Sequence, residues 1–203
     1  MHRSASRAGA RTRGRASNSG RSQGGTGGTR SSSPVGFWGV ERKERQLIEK
    51  AIEYHGLKEL PEDLDGECLL FSKLIRDADK LDVLYVVTDY YRQYRDNPQE
   101  FMLELEFPDE QGYSAELVEK ILRGRQIDYG ELRTLNDAKL LQLGWVYDVN
   151  FTVVLKRIKQ RRFLEMLIDF LPETRDIERV KEKIFEYVDF RISQETSENT
   201  KAK

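Results

Sequence analysis

From Glu41 onward, apolar residues recur every three or four positions, and this spacing constrains the fold more than any other feature of the chain. Such a repeat lines one face of an α-helix. The longest series predicts a helix from about Leu64 to Tyr94. Its members are Leu69, Leu70, Leu74, Ile75, Ala78, Leu81, Leu84 and Val87.

Further segments have the same spacing and are bounded by residues that begin or end helices. One ends at His55-Gly56 and another at Gly124, since glycine closes helices. Ser114 is typical of a residue whose hydroxyl caps a helix start. Other helices are predicted from Asn136, over 151–171 and around 180–192, and residues 101–111 as a loop or short helix. Six or so helices with short links predict an all-α helical bundle.

Residues 1–40 differ in composition and are predicted to be a disordered leader. The first 36 residues hold seven arginines, eight glycines and eight serines, with no lysine or carboxylate. They bury too little apolar surface to offset the entropy of ordering. The leader could be an RNA-binding arginine/glycine arm, although it lacks the interleaved aromatics of such arms. It could also be a non-native segment, translated from another reading frame. The helical domain is then expected over 41–193, with a polar tail at 194–203.

The helical part of the chain is acidic. Residues 37–203 contain 27 basic and 35 acidic side chains, so their formal charge is near −8. A domain of this charge repels phosphate at long range, and binding to nucleic acid is therefore not expected. No apolar run is long enough to span a membrane, and no secretory signal is recognisable. We expect a cytoplasmic protein with no membrane partner, in which the single cysteine, Cys68, is a buried core thiol.

Three carboxylates interrupt the longest helix: Asp77, Asp79 and Asp82. A carboxylate on a largely buried helix is costly unless a cation neutralises it. Either Arg76 and Lys80 supply that cation, or a metal ion does. The alternative is a solvated acidic edge with weak local salt bridges.

Four strings in this chain resemble the second half of an HD-superfamily metal-dependent phosphohydrolase. They are AIEYHG at 51–56, IRDADKLD at 75–82, TLND at 134–137 and WVYDVNF at 145–151, the last two resembling uncharacterised bacterial members. The resemblance covers roughly residues 44–192. It implies a helical bundle of the HD-domain type, incomplete at its N-terminus. It also implies a divalent cofactor (manganese, magnesium or similar) that activates water to attack a small phosphate ester or nucleotide.

The resemblance also implies roles for particular residues. Asp79 would be a metal ligand. Asp77 and Asp82 would orient neighbouring groups, and His55 would lie close to the metal and bind phosphate or a second metal. Arg76 and Lys80 would hold the phosphate oxygens of the substrate.

The chain departs from the family pattern where the remaining metal ligands should stand. The family's first histidine and its His-Asp pair would precede residue 41, yet the chain contains only His2 and His55. A catalytic metal needs about three protein ligands. The chain is therefore predicted to be a truncated or frame-shifted copy with no complete catalytic set. The alternative is a non-catalytic helical interaction module with a basic tether, which would self-associate through exposed apolar faces.

Two other features have ordinary structural interpretations. Asp148 and Asn150 are predicted to cap a helix. The basic cluster at 156–162 is predicted to be a solvated face.

Overall fold

The computed structural model describes residues 39–64, 66–100, 107–108 and 111–201, with side chains described as far as residue 195. The predicted disorder of the leader concerns residues that lie outside these ranges, apart from 39 and 40. The same holds for most of the predicted loop or short helix at 101–111.

The described residues form seven α-helices and two short 3-10 helices, without a strand among them. The α-helices are α1 (Arg42–Tyr54), α2 (Gly66–Asp96), α3 (Ala115–Leu122), α4 (Leu135–Gly144), α5 (Thr152–Gln160), α6 (Phe163–Asp169) and α7 (Arg175–Lys201). The 3-10 helices span Tyr129–Glu131 and Trp145–Asp148. The predicted all-α class and bundle-like packing are thus confirmed. None of the described helices combines the length and the apolar character that crossing a membrane requires.

Ser114 precedes α3 as predicted, but its hydroxyl does not cap that helix. The hydroxyl donates to Asp137 Oδ2 at 2.8 Å, and the Ser114 backbone N–H donates to Asp137 Oδ1 at 2.7 Å. Asp137 also forms a capping box with Thr134, the cap residue of α4. Helix α4 begins at Leu135, one residue before the predicted start at Asn136. One buried carboxylate therefore joins the starts of two helices.

The apolar series at 151–171 forms two helices rather than one. The break falls at Arg162, whose φ of 58° and ψ of 32° lie in the left-handed region. Helix α5 ends at Gln160 and α6 begins at Phe163, so the chain turns at Arg161 and Arg162. The apolar spacing continues across the break, so spacing alone could not reveal the break.

Helix α7 extends to Lys201, so a helical backbone continues into the segment predicted as a polar tail. A polar segment can stay helical without burying apolar side chains. Composition therefore does not fix where such a helix ends.

The core lies around α4, in which nine of ten residues are buried. It includes apolar residues of α3 to α7, whereas α2 contributes Leu84 and Tyr91 from its second half. Helix α1 packs mainly on the first half of α2 and buries one residue, Ala51. Cys68 is 2% exposed, which confirms the predicted buried thiol.

Candidate functional site

A cavity of about 280 Å³ brings together four of the six residues that the sequence suggested as a site. Three of them, Arg76, Asp79 and Lys80, come from α2, and His55 comes from the end of α1. The opposite wall is formed by residues 126–129 and by the second 3-10 helix. The lining residues from that wall include Gln126, Asp128, Tyr129, Trp145 and Asp148.

Asp148 pairs with both cations of the predicted site. Its Oδ2 lies 2.7 Å from Arg76 Nη2 and 2.7 Å from Lys80 Nζ. Arg76 is 4% exposed and Lys80 is 9% exposed, so both charges are largely withdrawn from water. The cations of α2 therefore share one carboxylate from across the cavity; the second 3-10 helix ends at Asp148 as predicted, but the Asp148 side chain binds Arg76 and Lys80.

The Arg76 guanidinium also holds the loop that follows α1. It donates to the carbonyl oxygens of His55 at 3.2 Å and Lys58 at 3.3 Å, and to that of Leu57. These bonds and the Asp148 pair give Arg76 a structural role. Its predicted contact with substrate phosphate stays a prediction.

Asp77 is 1% exposed and does not line the cavity. Its carboxylate accepts bonds from the backbone N–H groups of Asn150 at 3.0 Å and Phe151 at 2.8 Å, and from Asn150 Nδ2 at 2.9 Å. These donors lie just before α5, whose own cap residue, Phe151, supplies no side-chain acceptor. Asp77 thus fastens the start of α5 to the middle of α2.

Asp82 also lies away from the cavity. It is exposed and lines a separate groove of about 860 Å³ between α2 and the start of α6, together with Tyr85, Phe163 and Met166. Asp79, three residues earlier on α2, lines the cavity instead.

Asp79 is the predicted metal ligand, and the structure leaves its carboxylate exposed at the cavity wall. Unlike Asp128 and Asp148, it makes no ion pair with a side chain in the described ranges. His55 lines the same cavity. Over residues 39–64, 66–100, 107–108 and 111–195, no three His, Cys, Asp or Glu side chains are grouped so that they could hold a metal ion. The donors present in these ranges therefore do not fit a complete catalytic metal centre.

Two further ion pairs that the sequence did not indicate lie at Asp128, which lines the cavity, and next to it at Glu131. Lys58 Nζ lies 2.9 Å from Asp128 Oδ1, and the hydrogen bond to Asp128 raises the pKa of the Lys58 ammonium. Lys120 donates to Glu131, which lowers the pKa of the Glu131 carboxyl. These partners are far apart in sequence and follow no repeat. Asp148, in contrast, lies within the WVYDVNF string that marked this region.

Acids of α7 pair with two of the five cations in the basic cluster at 156–162. Lys156 Nζ lies 2.6 Å from Glu195 Oε2, and Lys159 pairs with Asp189. The cluster therefore keeps part of its positive charge on its three arginines, of which Arg162 lies 3.9 Å from Glu165.

Comparisons with models of protein families, with curated proteins and with solved structures found no match. The resemblance to HD phosphohydrolases therefore depends on the residues at 51–56, 75–82, 134–137 and 145–151, and it stays a prediction.

Proposed function

We propose that residues 41–193 are part of an HD-type metal-dependent phosphohydrolase fold and that the cavity beside Asp79 is the remaining part of its site. Asp79 would contribute one metal ligand, and His55 a second donor or a phosphate contact. Lys80 would stand closest to a bound phosphate. The substrate class is a small phosphate ester or nucleotide.

The observation that supports this proposal is the environment of Asp79. Lys58 pairs with Asp128, and Arg76 and Lys80 share Asp148, whereas Asp79 is the one carboxylate of the cavity lining that makes no ion pair within the described residues. The Asp79 carboxylate is thus the group best placed to attract a cation from solution. A phosphate would then be attracted to the bound cation rather than to a cavity without net charge.

The same geometry limits the activity that we expect. A catalytic metal requires about three protein ligands and an open position, and the described residues supply Asp79 with His55 nearby. We therefore propose that this chain binds a divalent ion weakly and hydrolyses phosphate esters poorly or not at all.

The test is calorimetric titration of the chain with manganese chloride, followed by inorganic phosphate. We expect weak manganese binding and phosphate binding that requires manganese. Asp79→Asn should weaken manganese binding by about tenfold, equivalent to about 1.4 kcal/mol. The matched control is Asp82→Asn, which changes the same type of residue one turn further along α2, outside the cavity.

Hydrolysis of p-nitrophenyl phosphate is measured on the same samples. Stoichiometric manganese binding with turnover would show that the chain is a complete enzyme. Equal affinity in the wild type and in Asp79→Asn would remove Asp79 as a ligand and with it the proposed site.

A second candidate function is a non-catalytic helical interaction module. It is favoured by three apolar side chains of α2, Leu70, Phe71 and Leu74, which are each more than 40% exposed.

A further inference from the structure

Helix α1 and the first half of α2 form a two-helix arm at the edge of the bundle. The apolar core contains no residue of α1 and, among the buried residues of α2, only Leu84 and Tyr91 from its second half. Within the arm, Ala51 and Cys68 are buried apolar residues. Among the described helices, α1 makes its main contacts with α2.

The uncovered apolar side chains lie along one side of α2. Phe71 and Leu74 are 41% and 44% exposed, and Leu70 lies beside them at 47%. Phe71 also lines a groove of about 740 Å³ between α1 and α2, with Leu47 and Cys68. We call Leu47, Leu70, Phe71 and Leu74, with the side chains along this groove, the arm surface.

The arm surface is bordered by acidic side chains. The groove is lined by five glutamates and two lysines, Lys43 and Lys50. The glutamates are Glu41, Glu44, Glu49, Glu53 and Glu67. Lys43 lies 3.7 Å from Glu67, so one of its two cations is already close to an acid. The groove therefore combines an apolar floor with an excess of negative charge.

This charge distribution indicates which kind of partner fits the groove. A second copy that docked by the same surface would place its glutamates against those of the first, and like charges across an interface are unfavourable. A helix with an apolar stripe flanked by lysine or arginine would cover Phe71 and Leu74 and complement the glutamates. Such helix-in-groove binding uses apolar side chains at spacings of three and four residues.

We propose that the arm surface is the docking site for a basic amphipathic helix of a partner protein. The apolar side chains of the partner lie on Leu47, Phe71 and Leu74, and its cations face Glu49 and Glu53. This interaction uses none of the residues that line the cavity of about 280 Å³ beside Asp79.

The test uses two fluorescein-labelled synthetic peptides of about 18 residues, long enough for roughly five helical turns. Both have the same leucine stripe, and the polar positions are lysine in one peptide and glutamate in the other. Fluorescence anisotropy with the full chain should show binding of the lysine peptide and at least tenfold weaker binding of the glutamate peptide. The lysine peptide should also bind more weakly as salt is raised, because its cations are screened.

Variants of exposed residues locate the binding without disturbing the core. Leu74→Glu should weaken binding of the lysine peptide by about tenfold or more, as expected for a central contact residue. Val86→Glu is the matched control, because Val86 is an exposed apolar residue of the same helix outside the arm surface. It should leave the affinity within about twofold, and Glu49→Gln with Glu53→Gln should reduce both the affinity and its salt dependence.

Three results would overturn the proposal. One is equal binding of the two peptides, and another is equal loss of affinity in Leu74→Glu and Val86→Glu. The third is a dimer of the unliganded chain, seen by analytical ultracentrifugation, that Leu74→Glu dissociates and Val86→Glu does not. That result would assign the arm surface to a second copy.

Discussion

Asp77 joins two helices through hydrogen bonds to residues more than seventy positions away in the sequence. Its carboxylate is buried and accepts from the N–H groups of Asn150 and Phe151 at the start of α5. A buried donor that loses its acceptor retains the full cost of leaving water. Removal of the Asp77 carboxylate is therefore expected to destabilise the fold.

Asp77→Ala should lower the free energy of unfolding by about 3 kcal/mol, because two buried N–H groups lose a charged acceptor. The measurement is urea denaturation followed by circular dichroism. Asp82→Ala is the control on the same helix, and we expect a change within about 0.5 kcal/mol because Asp82 is exposed. Equal destabilisation by the two substitutions would contradict the role of Asp77 in fastening α5.

Tyr91 makes the stability of the protein sensitive to alkaline pH. Burial raises the pKa of its phenol from about 10 to about 12, and the hydrogen bond from Gln142 offsets this only in part. Because the folded pKa lies above the unfolded one, the unfolded chain loses its proton first. The contribution of the neutral phenol to stability is thus complete below pH 10 and is lost as the pH rises towards 12.

We expect the free energy of unfolding to fall less steeply above pH 10 in Tyr91→Phe than in the wild type. Urea denaturation at a series of alkaline pH values measures this difference. Tyr85→Phe is the control, since Tyr85 lies on the same helix and is 57% exposed. Parallel curves for the wild type and Tyr91→Phe would exclude Tyr91 as a source of the pH dependence.

Among the helices, the junction of α5 and α6 is the place where the backbone departs from its preferred conformation. Arg162 has a positive φ, which disfavours any residue with a Cβ atom. Its side chain does little to compensate, because its contact with Glu165 is 3.9 Å long and the side chain is 76% exposed. Gly124, which ends α3 with a φ of 66°, shows the residue type that such a position favours.

Arg162→Gly should therefore raise the free energy of unfolding by about 0.5–1 kcal/mol, because glycine relieves the left-handed strain. Thermal denaturation would show this as a higher Tm. Arg157→Gly, inside α5, is the opposite control and should destabilise by about 1 kcal/mol. A lower Tm in Arg162→Gly would show that the arginine side chain contributes more than its contacts suggest.

At the scale of the whole molecule, burial is unevenly distributed. Helix α4 is buried at nine of its ten positions, whereas α1 buries only Ala51 among its thirteen residues. Segments with few buried apolar contacts open at lower free energy than the core. The two-helix arm and the bundle centred on α4 are thus expected to differ in local stability.

Hydrogen exchange should detect this difference directly. We expect amides of α1 and of residues 66–76 to exchange through local opening, well before those of α4. Mass spectrometry of peptic fragments measures the two rates in one sample. The lysine peptide that binds the arm surface should slow exchange in the arm and leave α4 unchanged. Uniform protection across both regions would contradict the unequal stability.

Local sequence determined the helices well. Apolar spacing located α1, α2, α3 and residues 180–192 of α7, and glycine at 124 marked a helix end because its backbone tolerates a positive φ. The spacing missed the break at Arg162, because a series of apolar residues continues across a turn when both sides face the same core. Composition also did not show that α7 continues to Lys201.

The tertiary structure decided which charged side chains meet. The sequence placed Arg76, Asp77, Asp79, Lys80 and Asp82 on one helix, but the partners of Arg76, Asp77 and Lys80 come from residues about seventy positions away. Helical rotation directs Asp77 to the start of α5 and Asp79 to the cavity, while Asp148 from the second 3-10 helix pairs with both cations. Local propensity depends on neighbours in the chain, whereas charge pairing depends on which helices pack together. Only the packed bundle could therefore show that Asp79 is the carboxylate of the cavity lining that makes no ion pair within the described residues.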